Sequence, residues 1–194
     1  MKKIIIALFI VVSTTVSAQN KVEWDGDYEL QLSDFQSEGT QVGGTSIISM
    51  QTASSLQFGF QMSNVEFMFT KNFNTKVDCA FQRDGALIVA PDTLTANKLV
   101  QFAQYQFNLS ELYARKLRQQ IYENKATFSD ISFLKPLYEN IEKDFITENG
   151  VASKETNLGQ EEGKLAILNA KVLTSIEELA DFCKSCKPQK RRNK

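Results

Sequence analysis

The chain has 194 residues, with 22 lysines and arginines against 23 aspartates and glutamates, and it contains no histidine. Without an imidazole there is no Ser-His-Asp triad, no Cys-His pair and no histidine zinc site. A general base at neutral pH would therefore be a carboxylate or a lysine with a shifted pKa. The near-neutral charge gives no indication of a nucleic-acid partner, and we predict none.

Residues 1–18 have the layout of a secretory signal peptide. Two lysines precede an unbroken run of nine apolar residues at 4–12, and Val16 and Ala18 occupy the small-residue positions before a cleavage site. A membrane anchor is the alternative, but the hydrocarbon core requires about 20 apolar residues. We predict cleavage before Gln19 and export to the periplasm, the outer membrane surface or the exterior. No membrane span is predicted in the mature chain.

Cleavage would leave 176 of the 194 residues, enough for one domain with a sizeable core. We assign residues 19–186 to that single domain. Removing two of the 22 basic residues leaves 20 against 23 acidic ones, a net charge of −3. Residues 187–194 are basic without an acid; we interpret them as a disordered tail, the alternative being a docking patch.

The first half of the predicted domain has the pattern of short antiparallel strands. Alternating apolar and polar residues, or β-branched and aromatic ones, mark six segments separated by Asn, Asp and Gly turns. The predicted strands are residues 28–32, 45–50, 56–62, 65–69, 76–81 and 86–89.

From Pro91 the pattern changes to the helical period. Residues 92–95 offer capping side chains, and one long helix is predicted from there to about Ala126, with an apolar face that is buried. A second helix is predicted at 129–145, with Pro136 as an interruption or restart and Asn149-Gly150 as its end. A loop is predicted at 151–162 and a third helix at 164–182. Strands followed by helices predict an α+β domain.

Residues 99–118 of the long helix read L-V-Q-F-A-Q-Y-Q-F-N-L-S-E-L-Y-A-R-K-L-R. This segment resembles the active-site helix of a bacterial family of predicted secreted zinc-dependent proteases, domain of unknown function 922. Its members carry a segment similar to L-L-x-H-E-Q-x-H-F-D-I-x-E-x-x-A-R-x-L-R. The positions that match it are Gln104, Phe107, Glu111, Ala114, Arg115, Leu117 and Arg118. In place of the two histidines and the glutamate, this chain has Phe102, Gln106 and Ala103.

Two flanking segments resemble the same family. Trp24 and residues 30–35 are similar to its opening W…L-x-x-x-D-F element. Residues 155–159 are similar to its E-T-x-H-G segment, with Leu158 in place of the histidine, which the resemblance suggests as a third metal ligand. The three segments bracket most of the predicted domain, and they imply a zincin-like fold around the long helix.

The substitutions remove the chemistry that the resemblance implies. Two histidines four apart on a helix bind one Zn²⁺, and the glutamate between them activates the metal-bound water. Phe102 has no lone pair for a metal, Gln106 is a poor neutral ligand, and Ala103 cannot accept a proton. We therefore predict no metal, no cofactor and no zinc peptidase activity, with apolar side chains filling the former metal cavity. The alternative is that this stripe of aromatic residues and glutamines is ordinary core.

The retained charged residues of the helix are Glu111, Arg115 and Arg118. Glu111 and Arg115 have the spacing of an i, i+4 ion pair, and the alternative is that the three form a ligand-binding set.

The three cysteines are assigned separately. Cys79 lies in a predicted strand and is expected to be buried. Cys183 and Cys186 have the spacing of a redox motif but lack its strand-to-helix setting, so we favour a structural disulfide over a redox function.

These observations favour a non-catalytic envelope or secreted protein on a degenerate zinc-peptidase scaffold, which binds a peptide or an envelope protein. The alternative is a hydrolase that uses carboxylates or lysine in the same cleft without zinc. A third alternative is that the resemblance carries no functional information, because function depends on sites rather than on folds.

Overall fold

The computed structural model describes residues 20–52, 54–57, 63–125 and 131–188. The predicted signal peptide and residues 189–194 of the basic tail lie outside these ranges. The predicted α+β class is confirmed: two small sheets, with mostly antiparallel pairing, are followed by helices around one long central helix. None of the described helices combines the length and the apolar character needed to cross a membrane.

Six strands and four α-helices are assigned within the described residues. The strands are β1 (Lys21–Glu23), β2 (Gln41–Val42), β3 (Ser49–Gln51), β4 (Ser54–Gln57), β5 (Asp78–Gln82) and β6 (Leu87–Ala90). The helices are α1 (Asn64–Phe69), α2 (Thr93–Lys125), α3 (Leu134–Glu155) and α4 (Glu162–Glu178), with 3-10 turns at Leu32–Asp34, Asn74–Lys76 and Ala180–Phe182.

Each sheet has three strands. The first has the order β1-β5-β4, with both neighbours antiparallel to β5, and the second has the order β2-β6-β3. In the second sheet β2 is parallel to β6 and β3 is antiparallel to it. Three successive residues of β5, Cys79 to Phe81, are buried, and helix α2 packs against this strand.

Helix α2 passes through the middle of the molecule. It spans 33 residues and packs against α3, α4 and strands of both sheets. Between Leu99 and Arg118 nearly every side chain is buried, on all sides of the helix. A helix enclosed in this way belongs to the core rather than to the surface. Asp92 begins it by accepting a hydrogen bond from the backbone N–H of Thr95 at 2.7 Å.

Two strand predictions in the first half are wrong. Residues 28–31 form a loop and Leu32 begins the 3-10 turn, because the N–H of Leu30 donates to Gln104 on α2 (2.8 Å) instead of to a strand. Residues 65–69 lie in α1, where the Ser63 hydroxyl caps the helix by accepting from the N–H of Glu66 at 3.1 Å. The cap and the burial of Phe67 override the β propensity of this segment.

The other strand predictions are partly right. Strands β5 and β6 lie within one or two residues of the predictions at 76–81 and 86–89, and β3 covers only the end of 45–50. Strand β4 overlaps the start of 56–62, and residues 58–62 lie outside the described part. Strands β1 and β2 are not predicted, because segments of three and two residues are too short to show alternation.

The three predicted long helices are present; the ends of α2 agree with the prediction, while those of α3 and α4 are shifted. Helix α3 begins at Leu134, so Pro136 lies in its first turn, where a missing N–H costs no hydrogen bond. The helix continues through Asn149-Gly150 to Glu155, so the predicted end is wrong and the predicted loop at 151–162 is only partly right. The connection to α4 is only residues 156–161, and α4 ends at Glu178 before a 3-10 turn.

The tight turn between α3 and α4 makes Gly159 irreplaceable. Its φ of +85° favours glycine, and a Cβ there would lie 2.6 Å from the carbonyl oxygen of Lys98 and 2.9 Å from the Cβ of Phe102. We expect Gly159→Ala to lower the free energy of unfolding by about 2 kcal/mol or more. Gly150→Ala is the matched control: it lies within α3 with open space around it, so it is expected to stabilise by about 0.5–1 kcal/mol. Urea unfolding measures both, and equal effects would contradict the packing of this turn.

Candidate functional site

The three segments that resemble the family meet on helix α2. The indole N–H of Trp24 donates to the side chain of Asn108 at 2.9 Å, and the Leu30 N–H donates to Gln104. At the other end of the chain, Gly159 packs directly against Phe102. The structure therefore brings residues 155–159 to the helix beside a position where the resemblance expects a metal ligand.

The positions Phe102 and Ala103 are closed to solvent. Both side chains have an exposed fraction of 0%, and the ring of Phe102 stacks on Tyr105 with centroids 5.8 Å apart. Leu158 is half-buried and packs against the same core, in a turn that the Thr156 hydroxyl closes by accepting from the Gly159 N–H at 3.1 Å. The region is therefore filled with apolar atoms, as the sequence predicts for the first two positions.

Both polar atoms of the Gln106 side-chain amide form hydrogen bonds. Its Oε1 accepts a hydrogen bond from the hydroxyl of Thr52, and its Nε2 donates to Oδ1 of Asn149, each at 2.8 Å. The side chain is 7% exposed. This amide links the chain after β3 to α2 and α3, and a metal ion would have to displace one of these partners.

Two phenols, those of Tyr105 and Tyr113, lie on the same helix as Gln106. Tyr113 donates a hydrogen bond of 2.6 Å to Glu148 on α3. Burial first, and then that hydrogen bond, raise the pKa of Tyr113, while burial and the carboxylates of Glu148 and Glu155 raise the pKa of Tyr105. Both phenols stay protonated at neutral pH and are poor bases. Among the residues that the structure describes, no group of three Cys, Asp or Glu side chains could hold a metal ion.

A buried ion cluster lies further along α2 and consists of Glu111, Arg115 and Arg118. Oε1 of Glu111 accepts from Nε of Arg115 and from Nη1 of Arg118, each at 2.9 Å. The i, i+4 ion pair predicted from the sequence is thus present. All three side chains are buried, however, and the sequence gives no indication that Arg118 joins the same carboxylate oxygen.

The two arginines of this ion cluster also satisfy backbone carbonyls at the ends of other elements. Arg115 Nη1 donates to the carbonyl of Ile176 at 2.8 Å and to that of Leu179 at 3.4 Å, at the C-terminus of α4. Arg118 donates to the carbonyls of Val77 at 2.7 Å and Phe182 at 3.0 Å. The carbonyls of Ile176 and Leu179 also accept backbone hydrogen bonds, from the N–H groups of Leu179 and Phe182. The arginines therefore add side-chain donors at the end of α4 and fix the chain that follows it.

The chain after α4 is closed by a disulfide between Cys183 and Cys186. The side-chain amide of Asn74, which is buried, donates to the carbonyls of both cysteines, at 3.0 and 3.1 Å, and to that of Asp181. The disulfide turn is thereby fixed to the chain just before β5. Sequence reasoning misses Asn74, because nothing in the local pattern links it to residues more than 100 positions later.

A cavity of about 540 Å³ opens beside the ion cluster and the disulfide turn. Its lining includes Trp24, Glu111, Arg115, Lys184 and Ser185. The guanidinium of Arg115 lies over the indole ring, 5.4 Å from its centroid. We name this space the Trp24 cavity. It lies apart from Phe102, Ala103 and Gln106, and only its tryptophan and its ion cluster are matched by the family resemblance.

Cys79 is buried in β5, as predicted. Burial, and then the nearby carboxylate of Glu111, raise the pKa of the Cys79 thiol well above its usual value. The thiol is therefore neutral at physiological pH and is no nucleophile.

Comparisons of the chain with protein-family models, with curated proteins and with solved structures found no match. The family resemblance therefore stays an interpretation of the sequence.

The ion cluster should be costly to break. Glu111→Gln leaves two buried guanidinium groups without a counter-charge, so we expect it to lower the free energy of unfolding by about 3–5 kcal/mol. The control is Lys135→Ala, which breaks an ion pair with Glu139 whose side chains are 85% and 59% exposed; its expected cost is below about 0.5 kcal/mol. Chemical denaturation measures both. Similar small losses would show that the cluster does not hold the helix ends.

The thiol count distinguishes the buried cysteine from the paired ones. The chain has three cysteines. We expect no reaction with a thiol reagent in the native protein at pH 8, because Cys79 is buried and its raised pKa keeps it protonated there. In denaturant without reductant one thiol should react, and after reduction all three. Three reactive thiols without reductant would show that Cys183 and Cys186 are not paired.

Proposed function

We propose that the protein is a non-catalytic envelope or secreted protein that uses a degenerate zinc-peptidase scaffold to bind a peptide or a protein. One observation carries the proposal. Phe102, Ala103 and Gln106, where the resemblance puts the metal ligands and the general base, are buried and carry no ionisable group. A zinc ion at this place would lack both ligands and a base for its water.

The packing around these positions supports a structural role for them. Phe102 and Ala103 are part of the core, and both ends of the Gln106 amide already have hydrogen-bond partners. Opening a cleft here would break two hydrogen bonds of a buried amide and expose an aromatic pair. The region stabilises the contact between α2 and α3 instead.

The contact between Gly159 and Phe102 supports the scaffold part of the proposal. A third ligand in the segment 155–159 can reach a metal on α2 only if that segment lies beside the helix, and in this chain it does.

Helix α1 supports the binding part of the proposal. Val65, Met68 and Phe69 lie at i, i+3 and i+4 on this helix and are 65%, 65% and 76% exposed. Grouped exposed apolar side chains are typical of interaction surfaces.

The first test is the zinc content of the protein purified from its exported fraction without chelators, together with a casein digestion assay. We expect less than about a tenth of a zinc ion per chain and no cleavage, because no ligand set of the family remains. Stoichiometric zinc or casein cleavage would overturn the non-catalytic assignment.

A restored variant serves as the positive control in the same assay. It combines Phe102→His, Ala103→Glu, Gln106→His and Leu158→His, and circular dichroism checks that it folds. If the scaffold is that of the family, this variant should take up about one zinc ion per chain and be stabilised by it. A folded variant that binds no zinc would contradict the scaffold, whatever the wild type does.

A further inference from the structure

We propose that the Trp24 cavity binds the primary carboxamide of an asparagine or glutamine side chain. Arg115 would donate to the amide oxygen, and Glu111 would accept from the amide N–H. The inference rests on the proposed function, because it names the chemical group that a peptide or protein ligand would present.

The ion cluster leaves one donor group and one acceptor atom for a ligand. Oε1 of Glu111 accepts from both arginines, while within the described part of the chain Oε2 accepts no hydrogen bond. Arg115 uses Nε and Nη1 for its contacts, and its Nη2 donates to no described residue. Both residues line the cavity although they are only 3% and 7% exposed. A buried ion pair with unused hydrogen-bonding capacity gains from a partner that supplies both halves.

The arrangement of this donor and acceptor selects a primary carboxamide. In a guanidinium, Nη2 lies on the same edge as Nε, and Nε is bound to Glu111. The donor and the acceptor are therefore neighbours. A primary carboxamide presents its oxygen and one N–H side by side, whereas a trans peptide group presents them on opposite sides. A side-chain amide can satisfy both groups at once, and a backbone amide cannot.

The charges around the cavity disfavour an ionic ligand. Lys184 is held by Glu23 and by Asp78, each at 2.8 Å. Hydrogen bonds from the N–H groups of Tyr28 and Asp27 lower the pKa of Asp25, so this lining carboxyl stays ionised. An incoming carboxylate would meet acidic neighbours, and an incoming cation would meet two basic ones. A neutral, dipolar group avoids both penalties.

The indole of Trp24 forms a flat wall of the cavity and serves as a fluorescent probe of binding. It lines the cavity, its N–H is already bound to Asn108, and it is the only tryptophan of the chain. A planar amide stacked beside it would change its surroundings directly. Intrinsic tryptophan fluorescence of the whole protein therefore reports on this one site.

The experiment is a fluorescence titration of the full chain with N-acetyl-glutamine methylamide. Three matched probes replace the side chain by asparagine, by glutamate, or by glutamine with two methyl groups on its side-chain nitrogen. We expect saturable binding of the glutamine or the asparagine probe, and the comparison of these two gives the preferred length. Binding of the glutamate and dimethyl probes should be at least about tenfold weaker, because each lacks the side-chain N–H and leaves Oε2 of Glu111 without a donor.

A pair of surface variants gives the protein-side control without disturbing the ion cluster. Ser185 is exposed at the cavity, so Ser185→Tyr should obstruct it and abolish the response. Ser46 is exposed and lies outside the cavity lining, so Ser46→Tyr should leave the response unchanged.

Three results would overturn the carboxamide site: no saturable response to any probe, equal binding of the dimethyl probe, or full binding by the Ser185→Tyr protein. Each leaves the non-catalytic scaffold standing, since zinc content and casein cleavage are measured independently. Conversely, a zinc-loaded wild type would refute the non-catalytic assignment whether or not the carboxamide probe binds.

Discussion

The ion pairs of the Glu111 carboxylate are the interaction that holds the most distant parts of this protein together. One of its oxygens binds both Arg115 and Arg118, within helix α2. The two guanidiniums then donate to carbonyls at the end of α4, in the following 3-10 turn and just before β5. Removing charged groups from water is costly, and here that cost is offset by the attraction between the carboxylate and the guanidiniums and by the hydrogen bonds to backbone carbonyls. The second half of the chain is thereby fixed to the first.

Helix α2 has different chemistry at its two ends. Around Phe102 and Ala103 it contributes apolar volume to the core, and Gln106 adds an amide with both ends occupied. Around Glu111 and Arg115 it carries charge, with hydrogen-bonding groups that face a cavity. In the zinc peptidases that the sequence resembles, the region around Phe102, Ala103 and Gln106 would perform the reaction. Our proposal instead puts the recognition of ligands in the second region, where polar groups remain available.

The sequence predicts a helix or strand more accurately when the periodic pattern of that element is longer. Helix α2 repeats its apolar spacing over 33 residues, so its type and ends are well predicted. Strands β1 and β2 have three and two residues and show no period. In residues 65–69 the aromatic and branched composition suggests a strand, but a serine cap one residue before the helix decides otherwise. Gly150 does not end α3, because a glycine inside a helix lowers its stability without stopping it.

The sequence by itself determined the absence of imidazole chemistry, the α+β class, the long central helix and the burial of Phe102 and Ala103. These depend on composition and on local periodicity, which can be read along the chain. Only the tertiary structure decided that one carboxylate oxygen binds two arginines, that Gln106 joins Thr52 to Asn149, and that Asn74 holds the disulfide turn. Each of these contacts joins residues far apart in the chain or selects among several local partners. Such choices are settled by the packing of whole elements, because only packing determines which polar groups lose water together.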